Sequence, residues 1–225
     1  MDNLFQDFLQ VVESTKKLLL DLQASGIAVV PGIAAAQKIL APLEQKALSC
    51  QACRLSKGRN RVVFGEGNLN SPIVFVGEGP GREEDLQGRP FVGAAGALLN
   101  RILEAMKLQR EAVYITNVVK CRPPGNRPPE SDEISACRPF LETQLLTIRP
   151  KIICALGKTA AAALLETEAP MTPPPALSAE GGSNRSFERP KGPKASGGVS
   201  ALRGRTFKWQ GIPLIVTFHP AYLLR

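Results

Sequence analysis

The stretch Ile73-Val74-Phe75-Val76-Gly77-Glu78-Gly79-Pro80-Gly81 decides the fold. Four apolar residues run without polar interruption, as in a strand buried on both faces, and end at once in a turn punctuated by glycine and proline. Three further runs share this form: Val113–Val118, Lys151–Leu156 and Ile212–Phe218. Between the first three lie helical patterns, Gly96–Met106 and Pro129–Ile148, and the third run leads into Thr159–Leu165. Buried strands alternating with helices specify a parallel sheet covered on both sides. The expected fold is therefore α/β, a three-layer α/β/α sandwich around a central four-stranded, mostly parallel sheet. No internal repeat is visible.

Ligands of open parallel sheets bind beyond the carboxyl ends of the strands. Here the first predicted strand runs into Gly77–Gly81, the second contains Asn117, the third ends at Gly157 and the fourth at His219-Pro220. Four such ends converging on one crevice locate a candidate site. The glycine turn is no dinucleotide fingerprint: its spacing is not G-x-G-x-x-G, and Pro80 lacks the N–H that a phosphate would use. Its glycines suit close approach of backbone to a flat ligand. His219 is the only histidine, which excludes a His-rich zinc site, and Pro220 restricts the turn that carries it.

The chain has 225 residues, of which 44% are apolar, enough for one domain with its own core plus extensions. Its formal charge of +8, with a pI near 9.5, suits a polyanionic partner such as nucleic acid, or serves solubility alone. Five cysteines without a signal peptide argue for a reducing, cytoplasmic setting. The chain opens on Asp2 rather than a basic stretch, and Asp21 interrupts the apolar run Leu18–Leu20, so neither a secretory signal nor a membrane span is expected. Cys50 and Cys53 form a C-x2-C pair, with Cys121 and Cys137 further on. Thiolates in this number bind zinc or an iron–sulfur cluster. A zinc ribbon would carry a second tight pair, whereas dispersed ligands fit a cluster that joins distant segments; spacing leaves both open. Cys154, inside an apolar strand, is expected to be a small buried hydrophobe.

Outside the body, residues 1–48 form an N-terminal helical extension and linker. Phe5, Phe8, Leu9 and Val12 give residues 2–23 an amphipathic pattern, and an Ala- and Pro-containing stretch follows to Leu48. Residues 49–225 form the main domain. Within it, residues 168–200 hold six prolines and Phe187 as their only aromatic, a composition expected of a disordered insertion. From Arg185 to Arg205 six basic residues face only Glu188, which suits a solvated linker or a segment that tracks DNA.

Several long motifs resemble the family 4 uracil-DNA glycosylases, the iron–sulfur branch of the uracil-DNA glycosylase superfamily. They are CQACRL at 50–55, VVFGEGN at 62–68, VGEGPGREED at 76–85, GRPFVGAAGALLNRIL at 88–103, VYITNVVKCRPPGNRPP at 113–129 and FHPAYLLR at 218–225. The resemblance implies a [4Fe-4S] cluster on Cys50, Cys53, Cys121 and Cys137. It implies a monomer that hydrolyses the N-glycosidic bond of deoxyuridine in single- or double-stranded DNA, leaving an abasic site for base excision repair. A flipped uracil would stack on Phe91, with backbone at Glu78, Gly79 and Pro80 lining its pocket. Asn117 would accept from uracil N3–H and donate to O4, a pattern cytosine does not offer. His219 would donate to O2, and Glu84 would crowd out the methyl group of thymine. Pro220, Tyr222, Leu223 and Arg225 would contact the DNA strand. Elsewhere in the superfamily an Asp positions the water; Gly79 stands there here, so Glu78 is the first candidate for that task and Asp85 the second.

Two departures from the family are apparent. The insertion at 168–200 is longer than the family pattern, and the sequence stops at Arg225 where relatives continue, as a truncated product would. The branch that traps uracil covalently carries a Gly-Glu-Gln-Pro-Gly turn and an extra histidine, neither of which is present. A reading from another class is a catalytically silent DNA-binding module with a structural iron–sulfur cluster.

Overall fold

The computed structural model describes residues 33–165 and 199–224. The amphipathic pattern at 2–23, the insertion at 168–200 save its last two residues, and Arg225 lie outside the described residues.

A sheet of six strands organises the chain, in the order β1-β3-β2-β4-β6-β5. Four central strands are parallel: β3 (Tyr114–Asn117), β2 (Ile73–Gly77), β4 (Ile152–Leu156) and β6 (Ile212–Thr217). These are the four expected from the uninterrupted apolar runs. The sheet is nevertheless mixed and wider than the expected four strands, because an antiparallel strand is added at each edge. At one edge β1 (Glu66–Gly67) pairs with β3, and at the other β5 (Thr206–Trp209) pairs with β6. Neither carries an apolar run. β1 is two residues long, and β5 alternates, with Thr206 and Lys208 exposed and Trp209 buried, as an edge strand with one wet face does. The β5–β6 hairpin closes through Gln210 and Gly211, both at positive φ (47° and 84°), the backbone of a two-residue type I′ turn.

Two apolar clusters cover opposite faces of the sheet, divided by the alternation of each strand. Val74, Val76, Ile153, Ala155, Leu214 and Val216 point to one side. There they meet α1 (Ile33–Leu48), α4 (Ser131–Ile148) and α5 (Lys158–Leu165). Ile73, Phe75, Ile115, Cys154 and Leu156 point to the other and meet Leu99 and Leu103 of α3 (Ala94–Ala105). Cys154 is thus a buried thiol in an apolar layer, and desolvation pushes its pKa up to about 12. Two short helices complete the body: α2 (Arg82–Gln87) in the loop after β2, and α6 (Val199–Leu202) before β5.

Residues 33–48, expected as part of the linker, are helical. They pack on α4 and bury Ala36, Leu40 and Ala47. Pro42 sits inside this helix; lacking a donor, it breaks one hydrogen bond of the ladder and obscured the helical pattern in the sequence.

Candidate active site and cysteine pocket

The carboxyl ends of β2, β3, β4 and β6 open into one cavity of about 500 Å³. Parallel pairing brings them level: Gly77 lies opposite Asn117, and Leu156 opposite Thr217. Glu78, Gly79, Pro80, Asn117, Gly157 and His219 therefore share the lining. Gly77 is required by space, since a Cβ there would stand 2.3 Å from Asn117 Oδ1 and 2.7 Å from the Phe91 ring. Gly157 is required by conformation, with φ +92°, and turns the chain beneath His219 into α5.

Asn117 is almost wholly buried, and its Oδ1 has no hydrogen-bond partner. Buried side-chain acceptors are rarely left so, because the unmade bond costs about 1–3 kcal/mol. Its backbone is braced from behind by Lys120, a fully buried ammonium that donates to Asn117 O (2.8 Å), Thr116 Oγ1 (2.6 Å) and Gln144 Oε1 (2.6 Å). All three acceptors are neutral, and burial pulls the Lys120 pKa down to about 7.

His219 accepts a hydrogen bond at Nδ1 from the backbone N–H of Ala221 (3.2 Å). An accepting Nδ1 carries no proton, so the neutral ring holds its proton on Nε2. Burial lowers the His219 pKa to about 4, a shift only partly opposed by the charge of Glu84. The ring stacks with Phe91 at 5.5 Å between centroids and 29° between planes. Phe91 holds a positive φ of 51°, uncommon for a bulky side chain. Glu84 supports that loop: its Oε1 accepts from Val92 N–H and Gly93 N–H (both 2.9 Å), and its Oε2 from Gly81 N–H (3.1 Å). Glu84 lines the cavity and also clamps two of its walls together.

Asp85 is not brought to this cavity. It is turned away and buried, accepting from Asn60 N–H, Asn60 Nδ2 and Arg61 N–H. The helical turn that places Glu84 inward puts its neighbour on another face of α2. Of the predicted DNA-contacting residues, Tyr222 lines the cavity mouth, is 59% exposed and stacks on Phe218. Pro220 is buried and Leu223 half-buried. Sequence reasoning missed the wall formed by Pro123, Asn126, Arg127 and Pro128, the brace Lys120, and Lys158 at the start of α5. It also missed Thr159, whose hydroxyl donates to Glu78 Oε2. The one available signal was position: Lys158 and Thr159 directly follow Gly157, itself marked as a strand end.

The four other cysteines meet at a second, smaller pocket behind the first. Cys50 and Cys53 follow α1, Cys121 follows β3, and Cys137 lies in α4; all four line it. Three sulfurs already accept hydrogen bonds: Cys50 from Ala52 N–H (3.5 Å), Cys121 from Arg59 Nη1 (3.3 Å) and Cys137 from Lys120 N–H (3.3 Å). Donors aimed at sulfur are what thiolates bound to metal require, so the donor set fits a four-thiolate group. As free thiols, Cys121 and Cys137 are pushed upward by burial, Cys137 to about 11.

Ion pairs lock these segments together. Glu133 of α4 has a fully buried side chain and receives both Nη atoms of Arg127 (2.6 and 2.8 Å). It also receives Arg54 Nε (3.1 Å), next to Cys53, and the N–H of Glu130 (2.8 Å). The Arg127 guanidinium, the largest cause, holds the Glu133 pKa down at about 2.

The strand ends of this parallel α/β sheet thus form a pocket with an aromatic wall, an unpartnered amide oxygen and a neutral imidazole, an arrangement able to hold a flat ligand by its hydrogen-bonding edge. The pattern of the Uracil DNA glycosylase superfamily matches residues 64–225. A type-4 uracil-DNA glycosylase of Thermotoga maritima is 42% identical over 190 residues, 84% of this chain and 85% of that relative. Those of Saccharolobus solfataricus and Pyrobaculum aerophilum are 42% and 38% identical, over 78% and 83% of this chain and 72% and 85% of theirs. The chain belongs to the uracil-DNA glycosylase superfamily and, within it, to the type-4 family.

Proposed function

We propose that this protein removes uracil from DNA by hydrolysing the N-glycosidic bond of deoxyuridine, leaving an abasic site for repair. The observation that carries this is Asn117 Oδ1, a buried acceptor without a partner at the end of β3. Uracil supplies a donor at N3 for it and an acceptor at O4 for the amide N–H; cytosine presents the opposite pattern. Phe91 gives the flipped base a stacking surface, and the neutral His219 directs Nε2–H towards O2. Negative charge grows there as the bond to the sugar breaks, so the donor acts most strongly in the transition state. Glu78 orients the attacking water; Asp85, committed to Asn60 and Arg61, is not available for that task.

Cys50, Cys53, Cys121 and Cys137 hold a [4Fe-4S] cluster in this proposal. Among the described residues no three metal-ligating side chains are grouped as a single-ion site, yet all four cysteines line one pocket. The cluster's contribution is structural: it ties α1, the segment after β3 and α4 together behind the active site.

Release of uracil from labelled single- and double-stranded oligonucleotides tests the activity. Cleavage is expected at uracil and not at cytosine or thymine; binding without release would instead favour a silent DNA-binding module. Asn117→Asp offers oxygen acceptors where O4 needs a donor. Since hydrogen-bond discrimination reaches roughly 10⁴-fold when buried polar groups are left unpaired, uracil cleavage should fall by orders of magnitude. Near-native uracil release by that variant would remove Asn117 from base reading.

A further inference from the structure

Glu78 stands in the turn after β2, on a side chain with three rotatable bonds, beside an open cavity. A carboxylate so placed needs a second contact to keep one orientation. Thr159 supplies it: its hydroxyl donates to Glu78 Oε2 from the first turn of α5, leaving Oε1 on the other side of the carboxylate. The two ends of this bond are carried by adjacent strands. β2 leads into Glu78, β4 leads through Gly157 into Thr159, and the strands pair directly, Val76 opposite Ala155. The turn between β4 and α5 is pinned by Gly157 N–H to Thr217 O (2.8 Å) and Ala161 N–H to Gly157 O (3.1 Å). Thr159 is β-branched, so few χ1 rotamers are open to it, and it does not line the cavity itself. A carboxylate at the first turn of a helix is also favoured by the backbone N–H groups there.

We propose that Thr159 is a positioning residue: it fixes one oxygen of Glu78 so that the other is presented to the hydrolytic water. This rests on the assignment of Glu78 as the water-orienting group. Thr159 does not line the cavity, so it acts only through the Glu78 carboxylate. Misplacing a reacting partner by about 1 Å costs up to about 100-fold, so loss of a single tether should cost roughly 10-fold in the single-turnover rate.

The test compares Thr159→Val, which keeps the shape and removes the hydroxyl, with Thr159→Ser, which keeps the hydroxyl. Glu78→Gln and the double variant Glu78→Gln/Thr159→Val complete the cycle. Thr159→Val should slow single-turnover uracil release roughly 10-fold while its Kd for uracil-containing DNA and its Tm stay near the parent values; Thr159→Ser should restore the rate. In the Glu78→Gln background the Val substitution should add no further loss, because its route of action is already gone. If Thr159→Val perturbs folding, Ser against Ala at the same position reads the same hydroxyl. A slow Glu78→Gln with a native-rate Thr159→Val overturns the positioning role alone. A native-rate Glu78→Gln overturns the Glu78 assignment beneath it. Additive losses in the double variant would show that Thr159 acts independently of Glu78, which also overturns the proposal.

Discussion

The His219 imidazole can donate through Nε2 because the Ala221 N–H occupies Nδ1, and burial keeps the ring neutral by lowering its pKa to about 4. Starting from an ordinary value of about 6.5, the sign follows. Between pH 6.5 and about 4 the unfolded chain accepts a proton that the folded protein refuses. This residue's contribution to stability is therefore present above pH 6.5 and lost as pH falls through that window. Over pH 5–8 the working form does not change, so His219 should add no inflection to the single-turnover rate. A donor that strengthens only as charge develops lowers the barrier more than it tightens binding. By analogy with oxyanion-hole donors, His219→Ala should slow cleavage roughly 10²–10³-fold, with a much smaller change in Kd. Equal losses in rate and affinity would reduce His219 to a substrate contact, and an inflection near pH 6.5 that disappears in the Ala variant would contradict the neutral form. At this scale the sequence marked Asn117 and His219 by their places at strand ends, but not what satisfies them. The Ala221 N–H, the Lys120 brace and the Thr159 hydroxyl are three-dimensional facts without a local pattern. Asp85 shows the converse: it stands next to Glu84 in sequence, yet α2 turns the two carboxylates to different partners.

Elements here are joined by charge as well as by apolar packing. Glu133 lies in the first turn of α4, accepts from the N–H of the N-terminal Glu130, and binds Arg127 from the cavity wall and Arg54 from the segment after Cys53. One carboxylate thus sets the relation between the helix that bears Cys137, one wall of the cavity and the segment after Cys53. Its folded pKa of about 2 lies below the ordinary carboxylate value of 4.5, so its contribution is full above pH 4.5 and is lost as pH falls towards 2. Glu133→Gln leaves two guanidinium groups with a weaker, neutral partner, but both arginines retain solvent contact, which screens the loss. A decrease of about 1.5–3 kcal/mol in unfolding free energy at pH 7 is expected, in the range for hydrogen bonds to charged groups. Urea midpoints of the two proteins should differ most at pH 7, narrow below pH 4.5 and converge only near pH 2; an unchanging gap would point to packing rather than charge. The central strands and long helices were legible because uninterrupted apolar runs and 3.6-residue spacing report burial directly. β1, β5 and α1 were not. Two residues carry no periodicity, an edge strand shares its alternation with loops, and Pro42 argues locally against a helix that tertiary packing stabilises.

Across the whole molecule, the active site sits at one end of the parallel sheet, and the cysteine pocket lies behind the strand that carries Asn117. Lys120 links the two: its ammonium donates to Asn117 O and its backbone N–H to Cys137 Sγ. That adjacency was invisible in the sequence, where the number and spacing of the four cysteines pointed to a shared metal group and the resemblance alone chose a cluster over zinc, but nothing placed them beside Asn117. On the proposed cluster assignment, occupancy is a condition of the fold rather than of the chemical step. The segments bearing Cys50, Cys53, Cys121 and Cys137 come from three separate parts of the chain, so the proposed metal group would close long loops, and such closures stabilise folded over unfolded states. Anaerobically purified protein should be brown and hold about four irons per chain, as four thiolates on one cubane require. Stripping the iron should lower Tm by many degrees and abolish uracil release as the wall at Pro123–Pro128, anchored next to Cys121, loses its support. Cys121→Ser should lose the iron and much of the soluble yield. Cys154→Ser, in the apolar layer on the other face of the sheet, should keep the full iron content and the colour while costing about 1–3 kcal/mol for a buried hydroxyl. Iron analysis, the visible spectrum and thermal unfolding of the three proteins separate these outcomes. Stoichiometric zinc with full activity and no iron would replace the cluster by a single ion, and full iron in Cys121→Ser would remove that residue from the ligand set.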